Sequence, residues 1–130
     1  RGTFFALQQA ASRLRDGGRI VCISTMGTAW PSPGEAVYAA SKAGIEQVCR
    51  VASRELGGRG IAVNCVSPGP TDTDMLRADV DEAGRQGVAA MTAMGRLGTA
   101  EDVARAVVLL LEPSAGWITG QNVRVDGGLA

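Results

Sequence analysis

Short apolar runs alternate with longer amphipathic stretches along the chain, and the alternation predicts strands and helices in turn. Phe4 to Arg15 sets Phe4, Leu7, Ala11 and Leu14 at helical spacing, and Asp16-Gly17-Gly18 ends that helix. Arg19 to Ser24 is a continuous run rich in β-branched residues, the pattern of a strand covered on both faces. A loop containing Pro31, Ser32, Pro33 and Gly34 follows. Residues 36–56 form a long helix with a wide apolar face, in which Ala39, Ala40, Ala43 and Gly44 permit close approach. Gly57-Gly58-Arg59-Gly60 stops it, and residues 61–66 form a second buried strand that ends at Ser67-Pro68-Gly69-Pro70. Residues 73–95 are the least regular, with helical stretches broken by glycines. Thr99 to Asp102 reads as a variant capping box opening a helix to Leu111, and residues 122–126 as a last strand with Val123 and Val125 alternating against polar neighbours.

Strands and helices in alternation imply βαβ units and a parallel sheet, an α/β fold. Ligands of such sheets bind beyond the carboxyl ends of the strands. Here those ends are Ser24-Thr25, Ser67-Pro68-Gly69 and Asp126-Gly127-Gly128, where the polar and Gly-rich residues gather.

Composition narrows the function. At 130 residues the chain holds one domain at most, and its zero net charge gives no electrostatic footprint for nucleic acid or an anionic membrane surface. No apolar run is long enough to span a bilayer. Cys22, Cys49 and Cys65 are odd in number and lie inside apolar runs, without any His or Cys-x-x-Cys pair. They read as small buried thiols in a reducing cytoplasm, and no metal site is expected.

The candidate chemistry rests on two singletons. Tyr38 is the only tyrosine, and of the 13 Lys and Arg residues only Lys42 is a lysine. They stand four apart, so both leave one face of the same predicted helix. Positive charge is otherwise met with arginine, and a solitary lysine suggests work for a compact ammonium. A phenol is a weak acid, and an ammonium a few ångströms away favours its ionised form, so the pair suits proton exchange with a carbonyl oxygen.

Tyr38-Ala39-Ala40-Ser41-Lys42 resembles the Tyr-x-x-x-Lys motif of the short-chain dehydrogenase/reductase family, in particular its 3-oxoacyl-ACP reductase-like members. Residues 18–25 are similar to the family's strand leading to a catalytic Ser. Residues 63–69 with Thr71 and Thr73 are similar to its nicotinamide-side loop, and residues 117–121 and 125–128 to its C-terminal strand and turn. Four motifs in the family's order cover nearly the whole chain.

The resemblance implies a Rossmann-like, doubly wound parallel sheet to which residues 1–130 contribute the C-terminal strands and helices. The nucleotide-binding N-terminal part of that single domain would lie upstream of Arg1. It implies a cytoplasmic oxidoreductase moving a hydride between NAD or NADP and a small alcohol or ketone, without nucleic-acid or membrane partners, as a homotetramer or homodimer. Tyr38 would be the general acid/base. Lys42 would tune it and bind the nicotinamide ribose, while Pro68, Gly69, Thr71 and Thr73 would contact the cofactor. The family's usual spacing puts Thr25 where a Ser is normal. A shift of one residue would select Ser24 instead, or Met26 and no hydroxyl. A non-catalytic relative that binds nucleotide or serves as a scaffold is the alternative. Trp30, Met75, Leu76, Met91 and Met94 are candidates for an apolar substrate wall and equally for core or oligomer contacts, and Thr71 and Thr73 for helix capping. Asn64 is expected to serve hydrogen bonding at the strand end.

Overall fold

The computed structural model describes residues 2–30 and 32–130; Arg1 and Pro31 of the predicted loop lie outside them. Three strands, β1 (Arg19–Ile23), β2 (Ala62–Pro68) and β3 (Asn122–Val125), form a parallel sheet in the order β1-β2-β3. Ile20 pairs with Val63 and Cys22 with Cys65 across the first ladder, and Val66 pairs with Val123 across the second. Helices α1 (Gly2–Arg13) and α2 (Ala36–Leu56) precede and follow β1, and α5 (Ala100–Leu111) leads into β3. The irregular region holds two short helices, α3 (Asp74–Asp79) and α4 (Glu82–Met91). Asp81 separates them by capping α4, its carboxylate accepting from Gly84 N–H at 2.8 Å.

The core follows from strand alternation. Ile20 and Cys22 of β1, with Ile61 at the entry to β2 and Val63 and Cys65 within it, pack with Leu7, Cys49 and Ala52 from α1 and α2. The three cysteines meet there as free, buried thiols. Hydrogen bonding with Cys49, reinforced by burial, pushes the Cys22 thiol far above its ordinary range. For Cys49 the contact with Cys22 works downward, but Cys65 and burial outweigh it and the thiol is pushed up to about 12. Thiols so strongly protonated are packing groups, not nucleophiles.

β2 is buried along its length, as a centre strand should be. β1 is covered less than its composition predicts, and Ile23 is 44% exposed at its carboxyl end. Among the described residues β1 has a strand on one side only, which leaves its other edge open. The first helix ends at Arg13, two residues before the predicted Arg15. The reason is tertiary: Arg59 donates to the carbonyls of Ala11 and Leu14 and pairs with Asp16 at 2.8 Å, closing the helix from outside.

Candidate functional site

The carboxyl ends of β1 and β2 and the first turns of α2 lie together, because β1 pairs with β2 and α2 packs across β2. Tyr38 sits in the opening turn of α2 and is 47% exposed. One turn later, Lys42 lays its Nζ 5.8 Å from the centroid of the Tyr38 ring. The same Nζ donates to the Ile23 carbonyl at 3.2 Å, tying the lysine to the end of β1. The two singletons therefore share one helix face, which Lys42 joins to the end of β1.

Ser24 and Thr25 follow β1 directly and part company there. Ser24 continues the ladder, its N–H donating to the Val66 carbonyl at 2.8 Å, and its side chain is buried at 3% exposure. Its hydroxyl donates to Glu46 Oε1 at 2.6 Å, under α2. Thr25 is half-buried and extended, with φ −156° and ψ 151°, and caps the short 3-10 turn Met26–Thr28. Its Oγ1 accepts from Gly27 N–H at 3.2 Å. A hydroxyl has one proton and two lone pairs, so this contact leaves the Thr25 proton available to donate outward. Met26 begins the 3-10 turn.

At the end of β2, Gly69 donates its N–H to the Val125 carbonyl at 2.9 Å. A Cβ on Gly69 would stand 2.5 Å from Asp126 Cα, so the loop after Pro68 lies against the turn after β3 with no room for a side chain. The Asp126 carboxylate accepts from Gly128 and Ala130 N–H groups and holds that turn in shape. Thr71 Oγ1 donates to the Gly69 carbonyl at 2.9 Å, and Thr73 caps α3 by accepting from Leu76 N–H at 3.4 Å. Neither contact spends both sides of the hydroxyl, so capping and a ligand contact are compatible. Asn64, fully buried, donates to the Ile118 carbonyl and accepts from Gln121 N–H, which ties the approach to β3 onto β2.

Of the apolar candidates, Trp30, Met75, Met91 and Met94 are exposed and Leu76 is half-buried. Two polar residues that sequence reasoning passes over join the site region. Glu46 is buried on α2, and Thr28 donates to it at 2.7 Å. Only the position of Glu46 one turn beyond Lys42 hints at this in the sequence.

The chain matches the family described as enoyl-(acyl carrier protein) reductase over residues 1–130. It is 41% identical over 130 residues to a short-chain type dehydrogenase/reductase of Picea abies, covering 98% of this chain and 48% of that protein. The chain belongs to the short-chain dehydrogenase/reductase family. Another family member, a 3-oxoacyl-[acyl-carrier-protein] reductase of Pseudomonas aeruginosa, is 43% identical over 112 residues, 86% of this chain and 45% of the relative. The chain thus spans about half the length of these short-chain dehydrogenases/reductases. Among solved structures, a metagenomic blue fluorescent protein in complex with NADPH superimposes with a TM-score of 0.92 at 37% identity, over 100% of this chain and 52% of its own. The angucycline C-6 ketoreductase LanV with bound NADP gives 0.89 at 35%, over 98% and 49%. The sheet is accordingly part of the Rossmann-like fold of short-chain dehydrogenases/reductases.

Proposed function

We propose that the protein carrying this chain is an NAD(P)-dependent oxidoreductase that interconverts a small alcohol and its carbonyl compound. The observation that carries the reading is the placement of Lys42 Nζ near both the Tyr38 ring and the Ile23 carbonyl at the end of β1, two residues before a Thr25 hydroxyl whose proton is unspent. The residues present suit a nicotinamide. Close packing of Gly69 on Asp126 holds the Pro68–Gly69 loop fixed against the turn after β3, and a nicotinamide would meet the main chain of that loop. Lys42 uses one of its three donors on Ile23 among the described residues, and an ammonium can serve a ribose diol with the others. Pro68, Gly69, Thr71 and Thr73 would line that side.

When bound, the cofactor supplies or accepts the hydride at the substrate carbon. In the reduction, Tyr38 Oη gives its proton to the substrate oxygen, and in the oxidation it takes that proton back. The Lys42 ammonium stabilises the negative charge left on Oη, and the Thr25 hydroxyl donates to the substrate oxygen as charge develops there. The solved relatives named with NADPH or NADP favour a phosphorylated cofactor.

Turnover of a panel of aldehydes and ketones, followed by loss of NADH or NADPH absorbance, tests the reading. Reduction of at least one carbonyl that Tyr38→Phe abolishes is expected. Cofactor binding without turnover across the panel would instead support the non-catalytic alternative.

A further inference from the structure

We infer that Glu46 is a positioning residue that sets the Thr25 hydroxyl against Tyr38. The inference rests on the reading of Thr25 given above. Glu46 is buried, at 8% exposure, and a single carboxylate oxygen, Oε1, receives both the Ser24 and the Thr28 hydroxyls, at 2.6 and 2.7 Å. Those two residues bracket Thr25, one immediately before it and one three after. Bonds this short are typical of a hydroxyl donating to an ionised acceptor. Each hydroxyl has another acceptor within reach, Lys42 O for Ser24 at 3.4 Å and Thr25 O for Thr28 at 3.0 Å. A hydroxyl has one proton, and the nearer, charged oxygen claims it.

Glu46 stands one helical turn beyond Lys42 and two beyond Tyr38, on the same face of α2. The carboxylate therefore ties both ends of the Thr25 segment to the helix that carries the acid/base pair. Lys42 makes a third tie, through the Ile23 carbonyl. Without Glu46 the two hydroxyls fall back on backbone acceptors, and the 24–28 segment loses its fixed register against α2. Catalytic geometry tolerates such drift poorly, since about 1 Å of displacement can cost roughly a hundredfold in rate.

A double-mutant cycle in the protein carrying this chain tests the inference. Glu46→Ala alone is expected to lower kcat about ten- to a hundredfold while cofactor affinity, read by fluorescence titration, changes less than about twofold. In the Thr25→Ala background the same substitution should cost less than about threefold, because the group it positions is gone. Glu46→Gln, which keeps an acceptor but not the charge, should fall between wild type and Glu46→Ala. Losses that simply multiply in the double variant, or a fully active Glu46→Ala, would overturn the positioning role. If Glu46→Ala does not fold, Ser24→Ala/Thr28→Val removes the two donors instead and is judged by the same cycle. Full turnover in Thr25→Ala would sink the reading of Thr25 itself, whereas an impaired Thr25→Ala beside an active Glu46→Ala sinks only the inference.

Discussion

A hydroxyl can polarise a substrate oxygen only if its proton is not already committed, and this separates Ser24 from Thr25. The Ser24 proton goes to Glu46, while Thr25 Oγ1 acts as acceptor toward Gly27 N–H and keeps its own. Thr25→Ala is therefore expected to lower turnover on the order of a hundredfold with cofactor affinity little changed, and Thr25→Ser to be nearly silent. Ser24→Ala should cost only a few-fold in kcat, since Thr28 keeps one tie to Glu46. A dead Ser24→Ala beside a working Thr25→Ala would move the register by one residue. Lys42→Arg should lose most activity despite its retained charge. A guanidinium fork is too wide to meet Ile23 O, the phenol and a ribose together, and near-normal steady-state turnover would make Lys42 a surface residue. The Tyr38–Lys42 pair could be read from the sequence because helical spacing alone fixes which residues share a face. Glu46 could not. A glutamate on a helix ordinarily reads as solvated, and its burial here depends on which way Ser24 points after β1, which local pattern does not specify.

Elements end where local caps or distant groups end them, and the two cases behave differently. The Thr99–Asp102 box is local and complete: Thr99 Oγ1 accepts from Asp102 N–H at 3.2 Å, and Asp102 accepts from Thr99 N–H at 2.9 Å. Thr99→Ala is expected to lower stability by about 1 kcal/mol in denaturant melts. Hydrogen bonding from Arg96, with Thr99 N–H added, holds the Asp102 carboxyl well below the usual carboxylate range. A depressed folded-state value means that its contribution is complete above the unfolded-chain value of about 4 and is lost as pH falls below it. Replacing Asp102 with Asn should therefore flatten the acid limb of the stability curve. That cap was legible from four consecutive residues, as was α2 from end to end. The end of α1 was not, because Arg59, far along the chain, closes it. Gly69 belongs with the distant cases. Gly69→Ala must push the Asp126 backbone aside, at roughly 1–3 kcal/mol for an overpacked site. Unchanged melting together with unchanged turnover in that variant would show that the two turns are not locked.

At the scale of the whole molecule, the parallel sheet and the burial of each cysteine are legible in the sequence, whereas the meeting of the three thiols in one core depends on how α2 packs on β1 and β2. What alternation leaves unassigned is the outer side of α1 and α2. Their inner residues, Leu7, Cys49 and Ala52, pack on the sheet, while Phe4 and Val51 remain 51% and 47% exposed. Between the helices runs an open cleft of about 380 Å³, lined by Phe4, Leu7, Val48, Val51 and Leu56, with Gln8, Gln47 and Glu55 among its polar lining. An apolar strip beside polar groups is how protein interfaces are built, and exposed strips of this kind mark association surfaces. We expect a second copy to cover it, because two helices offering one continuous face can meet the same face across a two-fold axis. Sedimentation at micromolar concentration should then show a dimer or tetramer. Val51→Asp would put an unpaired carboxylate into the expected interface, and it is expected to weaken association by about a hundredfold or more. A monomer for the unsubstituted protein at that concentration would remove the idea, and undiminished association in Val51→Asp would move the interface off these helices.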